Sequence, residues 1–291
     1  MPVLIGCLVV IVGIISGYLL EKGNLHILFQ PAEVLIIGGG ALGGLIIASS
    51  PKTFKAIVAS LKVMVTRKPY GKEDYMEVLM LLNAIFTKIR REGLKSLERE
   101  MDKPFESELF KPFPRFLKNH HAIHLLSDTF RMIFTTKLKP HQLEALWDAE
   151  IETQFENLML PSKKLGNMAD SLPGLGIVAA VLGVVITMQK INSPPEVIGH
   201  SVGAALVGTF LGVLMCYGFV GPMSQNLESI ALQEKEYLNV LKGIVIPFVA
   251  GVHPNISIEF GRLLIPEEER PSFLEVEDAI LKAKRASGHH D

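Results

Sequence analysis

The sequence predicts an all-α membrane protein in which four transmembrane helices are joined to a large helical cytoplasmic domain. Three observations predict this class. The 291-residue chain is 48% hydrophobic and 20% charged, a mixture typical of apolar blocks separated by polar ones. Four stretches carry no Asp, Glu, Lys or Arg. The polar segments show helical periodicity and no long alternation of apolar and polar residues, which is the pattern of strands.

The four uncharged stretches are the predicted spans, at residues 2–20, 34–50, 171–189 and 197–223. A helix needs roughly 20 apolar residues to cross the ~30 Å hydrocarbon core of a bilayer. The first stretch is not a signal peptide, because no basic segment precedes it and a second apolar run follows closely.

Basic residues predict the orientation of these spans. The loops at 21–33 and 190–196 hold one basic residue each, whereas five follow the second span between Lys52 and Lys68. The positive-inside rule places that segment in the cytoplasm, so both termini are predicted to be cytoplasmic. The predicted domains are 1–50 (transmembrane helices 1 and 2), 51–170 (cytoplasmic helical domain), 171–223 (transmembrane helices 3 and 4) and 224–291 (cytoplasmic C-terminal helices).

Apolar periodicity predicts further helices outside the spans. The segments are 74–91, 115–135, 140–159 and, continuing the fourth span, 225–249. Gly93 is expected to interrupt the first of them. Near the end of the chain, Ser272 and Glu275 match a capping box, which predicts a last helix to about residue 286.

The predicted spans contain no acidic or basic side chain. Proton relays and ion pumps depend on ionisable groups inside the membrane. A chain that carries protons would therefore need a carboxylate from a partner. The spans do supply the hydroxyl groups of Thr187 and Thr209. The Thr209 hydroxyl could bind a partner's side chain or a hydrated ion, or bond to a carbonyl of its own helix.

Two prolines lie near the ends of spans. Pro173 is expected in the first turn of the third span, with Asp170 or Ser171 as the cap. Pro222 is expected inside a continuous helix, where it would kink the helix or free a carbonyl. The two prolines fit either simple span boundaries or a hinge that couples a span to the cytoplasmic domain.

Small residues recur four positions apart in every span, a spacing that lets membrane helices pack closely. The spacing fits packing within one subunit or packing among subunits in a ring, and it leaves both open. The pairs are Gly13 and Gly17, Gly39 and Gly43, Gly40 and Gly44, Ala179 and Gly183, Gly199 and Gly203, and Gly208 and Gly212.

The remaining motifs indicate no enzyme, cofactor site or metal site. The glycine motif at 38–43 lacks the crossover helix and acidic residue of a dinucleotide site. His120 and His124 lie one helical turn apart without a third ligand. The net charge of −1 gives no support for nucleic-acid binding. The mixed charges at 88–99 fit either a solvated face or a docking face for a charged partner helix.

Several runs of the sequence form a distinctive set. They are DSLPGLGIVAAVLGVV at 170–185, VGTFLGVLMCYGFVGP at 207–222, QPAE at 30–33, SLERE at 96–100 and RPSFLEVE at 270–277. With these runs in their order and spacing, nearly the whole chain resembles the flagellar motor stator A subunits (MotA) of the MotA/TolQ/ExbB proton channel family. The glycine-rich second span, GGGALGG, is richer in glycine than the family pattern.

The resemblance implies a subunit of the bacterial inner (plasma) membrane that converts ion motive force into torque. A homo-pentamer would surround two helices of a MotB-type single-span partner, whose aspartate accepts the proton. By motif position, Ala180 and Thr209 would line the ion path, and Thr187, the second threonine of the spans, is assigned to the same path. Pro173 and Pro222 would be the coupling prolines.

The resemblance also implies a rotor contact and an ion. Arg90 and Glu98 match the charged pair that engages the rotor protein FliG. Sodium-type relatives tend to carry Thr where this chain has Ala180, and a methyl group gives Na⁺ no oxygen ligand, so a proton motor is predicted. Two alternatives stay open. An ExbB/TolQ-like energiser of outer-membrane processes usually has three spans, and a non-conducting membrane scaffold would move no ions.

Overall fold

The computed structural model describes residues 2–136 and 138–286, and the regular structure of these residues is helical throughout. The α-helices, in chain order, are α1 Pro2–Leu20, α2 Leu25–Leu28, α3 Pro31–Ile47, α4 Pro51–Thr66, α5 Lys72–Glu92, α6 Glu98–Asp102, α7 His120–Thr135, α8 Pro140–Met188, α9 Pro195–Leu214, α10 Gly221–Val249, α11 Pro254–Leu264 and α12 Phe273–Ala286. Short 3₁₀ turns and one π-helical segment connect some of them. The all-α prediction is confirmed.

The chain forms two compact units. The membrane unit comprises the described part of Met1–Lys68 together with Glu156–Ala231. The helical unit comprises Pro69–Phe155 and the described part of Leu232–Asp291. By length and composition, four helical stretches could cross a membrane, which confirms the predicted number of spans: Val3–Leu20, Leu25–Ile47, Pro140–Met188 and Pro195–Val249.

The second predicted span is displaced towards the N-terminus in the structure. Helix α3 begins at Pro31 rather than at 34, because proline is favoured in the first turn, where its missing N–H costs nothing. The helix ends at Ile47, and Ser50 then caps α4 by accepting a hydrogen bond from the Thr53 N–H at 3.1 Å. The earlier start brings Glu33, which precedes the predicted span, inside the helix.

The third span is part of one 49-residue helix, α8, which joins the segments predicted separately at 140–159 and 171–189. Pro173 therefore lies inside a helix and not in its first turn, as does Pro161. Ser171 does not cap a helix, because its Oγ donates to the Met168 carbonyl at 2.7 Å. An apolar run shows where a helix can enter lipid, not where it begins, and membrane helices tolerate internal prolines.

The fourth span continues into the next helix, as predicted, but with an altered hydrogen-bond pattern. Helix α9 passes through the π-helical segment Met215–Val220 into α10. The Gly221 N–H bonds to the Cys216 carbonyl, five residues back. Pro222 follows directly. Proline lacks an N–H and crowds the preceding turn, and a wider π turn accommodates both effects.

The core of the helical unit confirms the amphipathic pattern of the sequence. Helix α5 covers the predicted segment 74–91, and Asp74 accepts the Gly71 N–H at 2.9 Å at its start. Gly93 ends it with a φ of 82°, which a side chain would strain. The buried apolar face is the predicted one: Tyr75, Val78, Leu79, Leu82, Ile85 and Phe86.

Other boundaries in the helical unit follow from caps. Helix α7 begins at His120 and not near 115, because Asn119 accepts the Ala122 N–H at 2.9 Å. The predicted capping box is present: Ser272 and Glu275 exchange hydrogen bonds of 2.7 and 3.3 Å. The hydrogen bond from Lys72 is the largest effect on the Glu275 carboxyl group, and the hydrogen bonds from Ser272 are the next largest. Together they lower the pKa of Glu275 to about 2. This carboxyl group is therefore charged at neutral pH.

A buried carboxylate also lies in the helical unit. Glu234 of α10 is 4% exposed and accepts hydrogen bonds from the Tyr70 hydroxyl at 2.7 Å and the Asn119 amide at 2.8 Å. Tyr70 stacks on Tyr237 with ring centroids 4.2 Å apart. Burial, and next the charge of Glu236, raises the pKa of the neighbouring Tyr75. This polar cluster ties the Tyr70 segment and the start of α7 to α10.

Candidate functional site

Helices α8 and α9 touch along a seam of small residues in the membrane unit. A β-carbon at Gly176 would lie 2.8 Å from the Gly208 carbonyl oxygen, and one at Gly212 would lie 2.6 Å from the Leu172 carbonyl oxygen. One at Gly183 would lie 2.7 Å from the Ala205 β-carbon. Atoms this close leave no room for a side chain, so the two backbones approach because these positions are glycine.

The seam brings together two residues of the predicted ion path. A β-carbon at Gly208 would lie 3.1 Å from the Ala180 nitrogen, and one at Gly176 would lie 3.3 Å from the Thr209 α-carbon. Both Ala180 and Thr209 are half-buried. Within the described part of the chain, no hydrogen bond satisfies the Thr209 hydroxyl, so this group is available to an incoming ligand or side chain.

Thr187 behaves differently from Thr209. Thr187 is 1% exposed, and its hydroxyl donates a hydrogen bond to the Gly183 carbonyl of the same helix at 2.8 Å. Thr187 thus forms the bond to its own helix that was one of the alternatives for Thr209. Thr187 therefore lies next to the seam with its hydroxyl proton already in use.

Glu33 is a residue of this site that sequence analysis misses. It is 8% exposed and lies against the seam, since a β-carbon at Gly208 would lie 2.6 Å from its Oε2 atom and one at Gly183 would lie 3.6 Å from its Oε1 atom. Among the described residues, Oε2 has no hydrogen-bond partner. Pro31 is the signal that could have found it, because proline at the first helical position puts Glu33 in the first turn.

The two candidate coupling prolines occupy different surroundings within the membrane unit. Pro173 lies in α8 next to Leu172, which belongs to the buried core. Pro222 directly follows the π-helical segment. Near Pro222, a reciprocal pair of 2.9 Å hydrogen bonds holds α10 to α8: each hydroxyl of Ser162 and Ser224 donates to the other residue's carbonyl. The backbone hydrogen-bond pattern is thus altered just before Pro222, and the helix is held to α8 by Ser224 just after it.

The two candidate rotor-interface residues lie in the helical unit. Arg90 is exposed at the end of α5, and Glu98 is exposed at the start of α6. Neither forms an ion pair within the described residues, whereas nearby Lys88 pairs with Glu100. Glu98 also lines an open, charged cleft of about 500 Å³ together with Lys95 and Arg99. The patch presents both signs of unpaired charge on its surface.

Several glycines of the spans have no neighbour in the single chain. A β-carbon at any of the following positions would meet no atom of the described residues within 4 Å: Gly13, Gly17, Gly39, Gly43, Gly199 and Gly203. Gly40, by contrast, contacts Leu175. Gly40 and the pairs of α8 and of the second half of α9 therefore serve packing within the chain. The pairs Gly13/Gly17, Gly39/Gly43 and Gly199/Gly203 leave close-packing surfaces uncovered.

The glycine motif and the histidines show no site-like arrangement in the structure. Residues 38–43 lie in the interior of α3 and not in a loop. His120 and His124 are exposed. In residues 2–136 and 138–286, no three His, Cys, Asp or Glu side chains are grouped to hold a metal ion.

Comparison with protein families gives matches over most of the chain. Residues 4–93 match the family model described as Motility protein A N-terminal. Residues 111–239 match the model of the MotA/TolQ/ExbB proton channel family. The chain is 37% identical over 280 residues to Motility protein A of Salmonella typhimurium, which covers 96% of this chain and 95% of that protein.

Solved structures show the same fold. The match to the structure of C. jejuni MotAB has a TM-score of 0.77 at 18% sequence identity and covers 94% of this chain and 98% of the other. The match to the flagellar MotAB stator complex from Bacillus subtilis has a TM-score of 0.73 at 22% identity and covers 92% and 96%. The arrangement of helices is thus that of proteins described as components of these complexes.

Proposed function

This chain belongs to the motility protein A family, and we propose that it is the A-type subunit of a flagellar stator that converts ion motive force into torque. The observation that carries the proposal is the seam between α8 and α9, where Gly208 lies close to Ala180 and Gly176 lies close to Thr209. The chain is a multi-pass protein of the bacterial inner membrane, and both of its termini face the cytoplasm in the proposed topology.

The partner in this proposal is a MotB-type single-span subunit that carries the proton-accepting aspartate. The two solved relatives are described as MotAB complexes, and this chain shares their fold. The Thr209 hydroxyl offers a hydrogen bond to such a carboxyl or to water beside it. A threonine without an internal bond is suited to this role, because its donor and acceptor are both unoccupied.

The coupling ion in this proposal is the proton. A sodium ion needs several oxygen ligands, by analogy with the oxygen shells of other hard cations. Ala180 supplies only a methyl group at the seam, and Thr187 has its hydroxyl bonded to Gly183. Ion flux through the complex is therefore expected to follow the pH gradient and to be independent of sodium.

Replacing Thr209 by valine tests the proposed ion path. Valine keeps the shape and removes the hydroxyl, so the complex should still assemble. We expect proton flux into liposomes containing the chain and its partner to fall by about tenfold, the size of a lost hydrogen bond to a charged group of about 1.5 kcal/mol. Swimming of a host strain that lacks its own A subunit reports the same loss.

Thr66→Val is the matched control for Thr209→Val. The Thr66 hydroxyl is exposed and bonds to the Lys62 carbonyl of its own helix, so its removal should leave flux and swimming unchanged. Unchanged flux in the Thr209 variant would contradict the ion path. Continued swimming in every variant would favour the scaffold alternative.

The coupling and rotor contacts complete the proposed cycle. Pro173 and Pro222 would transmit movement of the membrane helices, and the π-helical turn before Pro222 supports this role, because such turns are frequent at functional sites. Arg90 and Glu98 would engage FliG. Their exposed, unpaired charges suit a partner surface of alternating sign, which steers association and fixes register.

The stator would be a homo-oligomer, and we propose a pentamer. The uncovered glycine pairs support packing against neighbouring subunits, since small residues are what membrane helices use for close contact. Gly13→Leu should abolish the oligomer in native mass spectrometry. Gly6→Leu, on the same helix, is the control: its β-carbon also meets no atom, but no small residue lies four positions away. Equal subunit counts in both variants would contradict this packing.

A further inference from the structure

The membrane unit holds a carboxyl group that the proposed cycle does not use. Glu33 lies in the first turn of α3 and is 8% exposed. Its Oε2 atom has no hydrogen-bond partner among the described residues. The side chain enters the groove between α8 and α9, where the glycines of the seam leave room for it.

The fit of this side chain depends on two glycines. A β-carbon at Gly208 would lie 2.6 Å from Glu33 Oε2, and one at Gly183 would lie 3.6 Å from Oε1. Alanine at position 208 would therefore collide with the carboxyl group. Gly208 directly precedes Thr209, so the carboxyl group lies against the backbone of the candidate ion path.

No positive charge compensates the carboxyl group in the described contacts. The ionisable residues of the adjoining segments are Lys190 after α8, Glu196 and His200 at the start of α9, and His26 of α2. All four are exposed, and none forms an ion pair with Glu33 within the described residues. A buried carboxylate without a partner is costly, whereas the protonated acid is neutral and needs only one acceptor.

We propose that Glu33 is a proton-binding site that this chain itself contributes to the membrane unit. The carboxyl group holds a proton while it is buried against Gly183 and Gly208, and it exchanges that proton with the path beside Thr209. The ligand is a proton and not a metal cation, because the small residues around it supply no cage of side-chain oxygens. Only the second half of this inference, the exchange, depends on the proposed function.

The first experiment detects the bound proton in the chain alone. Infrared spectra of the full chain in lipid nanodiscs, labelled with ¹³C-glutamate, should show a protonated carboxyl band at neutral pH that shifts with the label. Glu33→Gln should remove this band. Glu33→Asp keeps a carboxyl group and the fold. Because aspartate does not carry the label, the protonated carboxyl band of this variant should no longer shift with ¹³C-glutamate. Glu196→Gln removes an exposed carboxylate on α9 and should leave the band unchanged.

The second experiment measures exchange in the complex with the single-span partner. Proton flux in Glu33→Gln is expected to fall by at least about tenfold, as for loss of a positioned proton-transfer group, with assembly retained and Glu33→Asp in between. A labelled band that persists in Glu33→Gln, or no such band in the unmodified chain, would overturn the proton site. A normal flux would overturn the exchange. Failure of the Thr209 test would remove the stator role and leave the infrared result standing.

Discussion

Adding one methyl group at Gly212 is expected to destroy the function of the membrane unit. A β-carbon there would lie 2.6 Å from the Leu172 carbonyl oxygen and 2.9 Å from the Gly176 α-carbon. Both are backbone atoms, so no side chain can turn away and α8 and α9 must separate. Overpacking of this kind costs about 1–3 kcal/mol. We expect Gly212→Ala to lower the melting temperature of the purified chain and to abolish swimming in a complemented strain.

Gly199→Ala provides the comparison, because it makes the same chemical change in the same helix. A β-carbon at Gly199 meets no atom within 4 Å. The intrinsic gain in helix propensity from glycine to alanine is similar at both sites, about 1 kcal/mol, so a difference between the variants reports packing alone. Equal melting temperatures of the two variant chains would show that the seam is not under close contact.

Glu234→Ala is expected to unfold the helical unit at lower temperature than the unmodified chain. The substitution removes the acceptor of the Tyr70 hydroxyl and of the Asn119 amide, which lie 2.7 and 2.8 Å from the carboxylate oxygens. Each hydrogen bond to a buried charged group contributes about 1.5–3 kcal/mol, so the loss should be about 3 kcal/mol or more. Limited proteolysis and thermal melting of the full chain in detergent measure it.

Two further variants separate the hydrogen bonds of Glu234 from the charge of α10. Glu236 is exposed two residues along the same helix, and Glu236→Ala should change stability by less than about 0.5 kcal/mol. Glu234→Gln keeps one acceptor oxygen and should fall between the two alanine variants. If Glu234→Ala melted like Glu236→Ala, the cluster would contribute nothing to the fold.

Sequence patterns predicted the features that depend on local chemistry. The apolar face of α5, its end at Gly93 and the capping box at Ser272 are all present, because helical periodicity, positive φ and side-chain caps act within a few residues. The four spans follow from length and composition in the same way. Among the site residues, the assignment of Ala180 to the ion path came only from the family resemblance.

Features that depend on other helices were not predictable from local pattern. Charge counting began the second span after Glu33, although the groove that receives this side chain forms only when α8 and α9 bring Gly183 and Gly208 to the same carboxyl group. Pro173 was expected at a helix start, yet α8 continues through it, supported by packing of Leu172 and Ala169 in the core. The spacing of four residues is common to all the glycine pairs. It therefore could not predict which glycines pack against another helix of the chain.

The π-helical segment Met215–Val220 determines how α10, which follows it, is rotated about the helix axis. A π turn contains one residue more than an α turn, so the extra residue rotates the following chain by about 100° relative to an uninterrupted helix. Ser224 faces Ser162 at 2.9 Å only in that rotated frame. One residue inserted into or deleted from this segment would present another face of α10 to α8, so the number of residues here fixes the contact between Ser162 and Ser224.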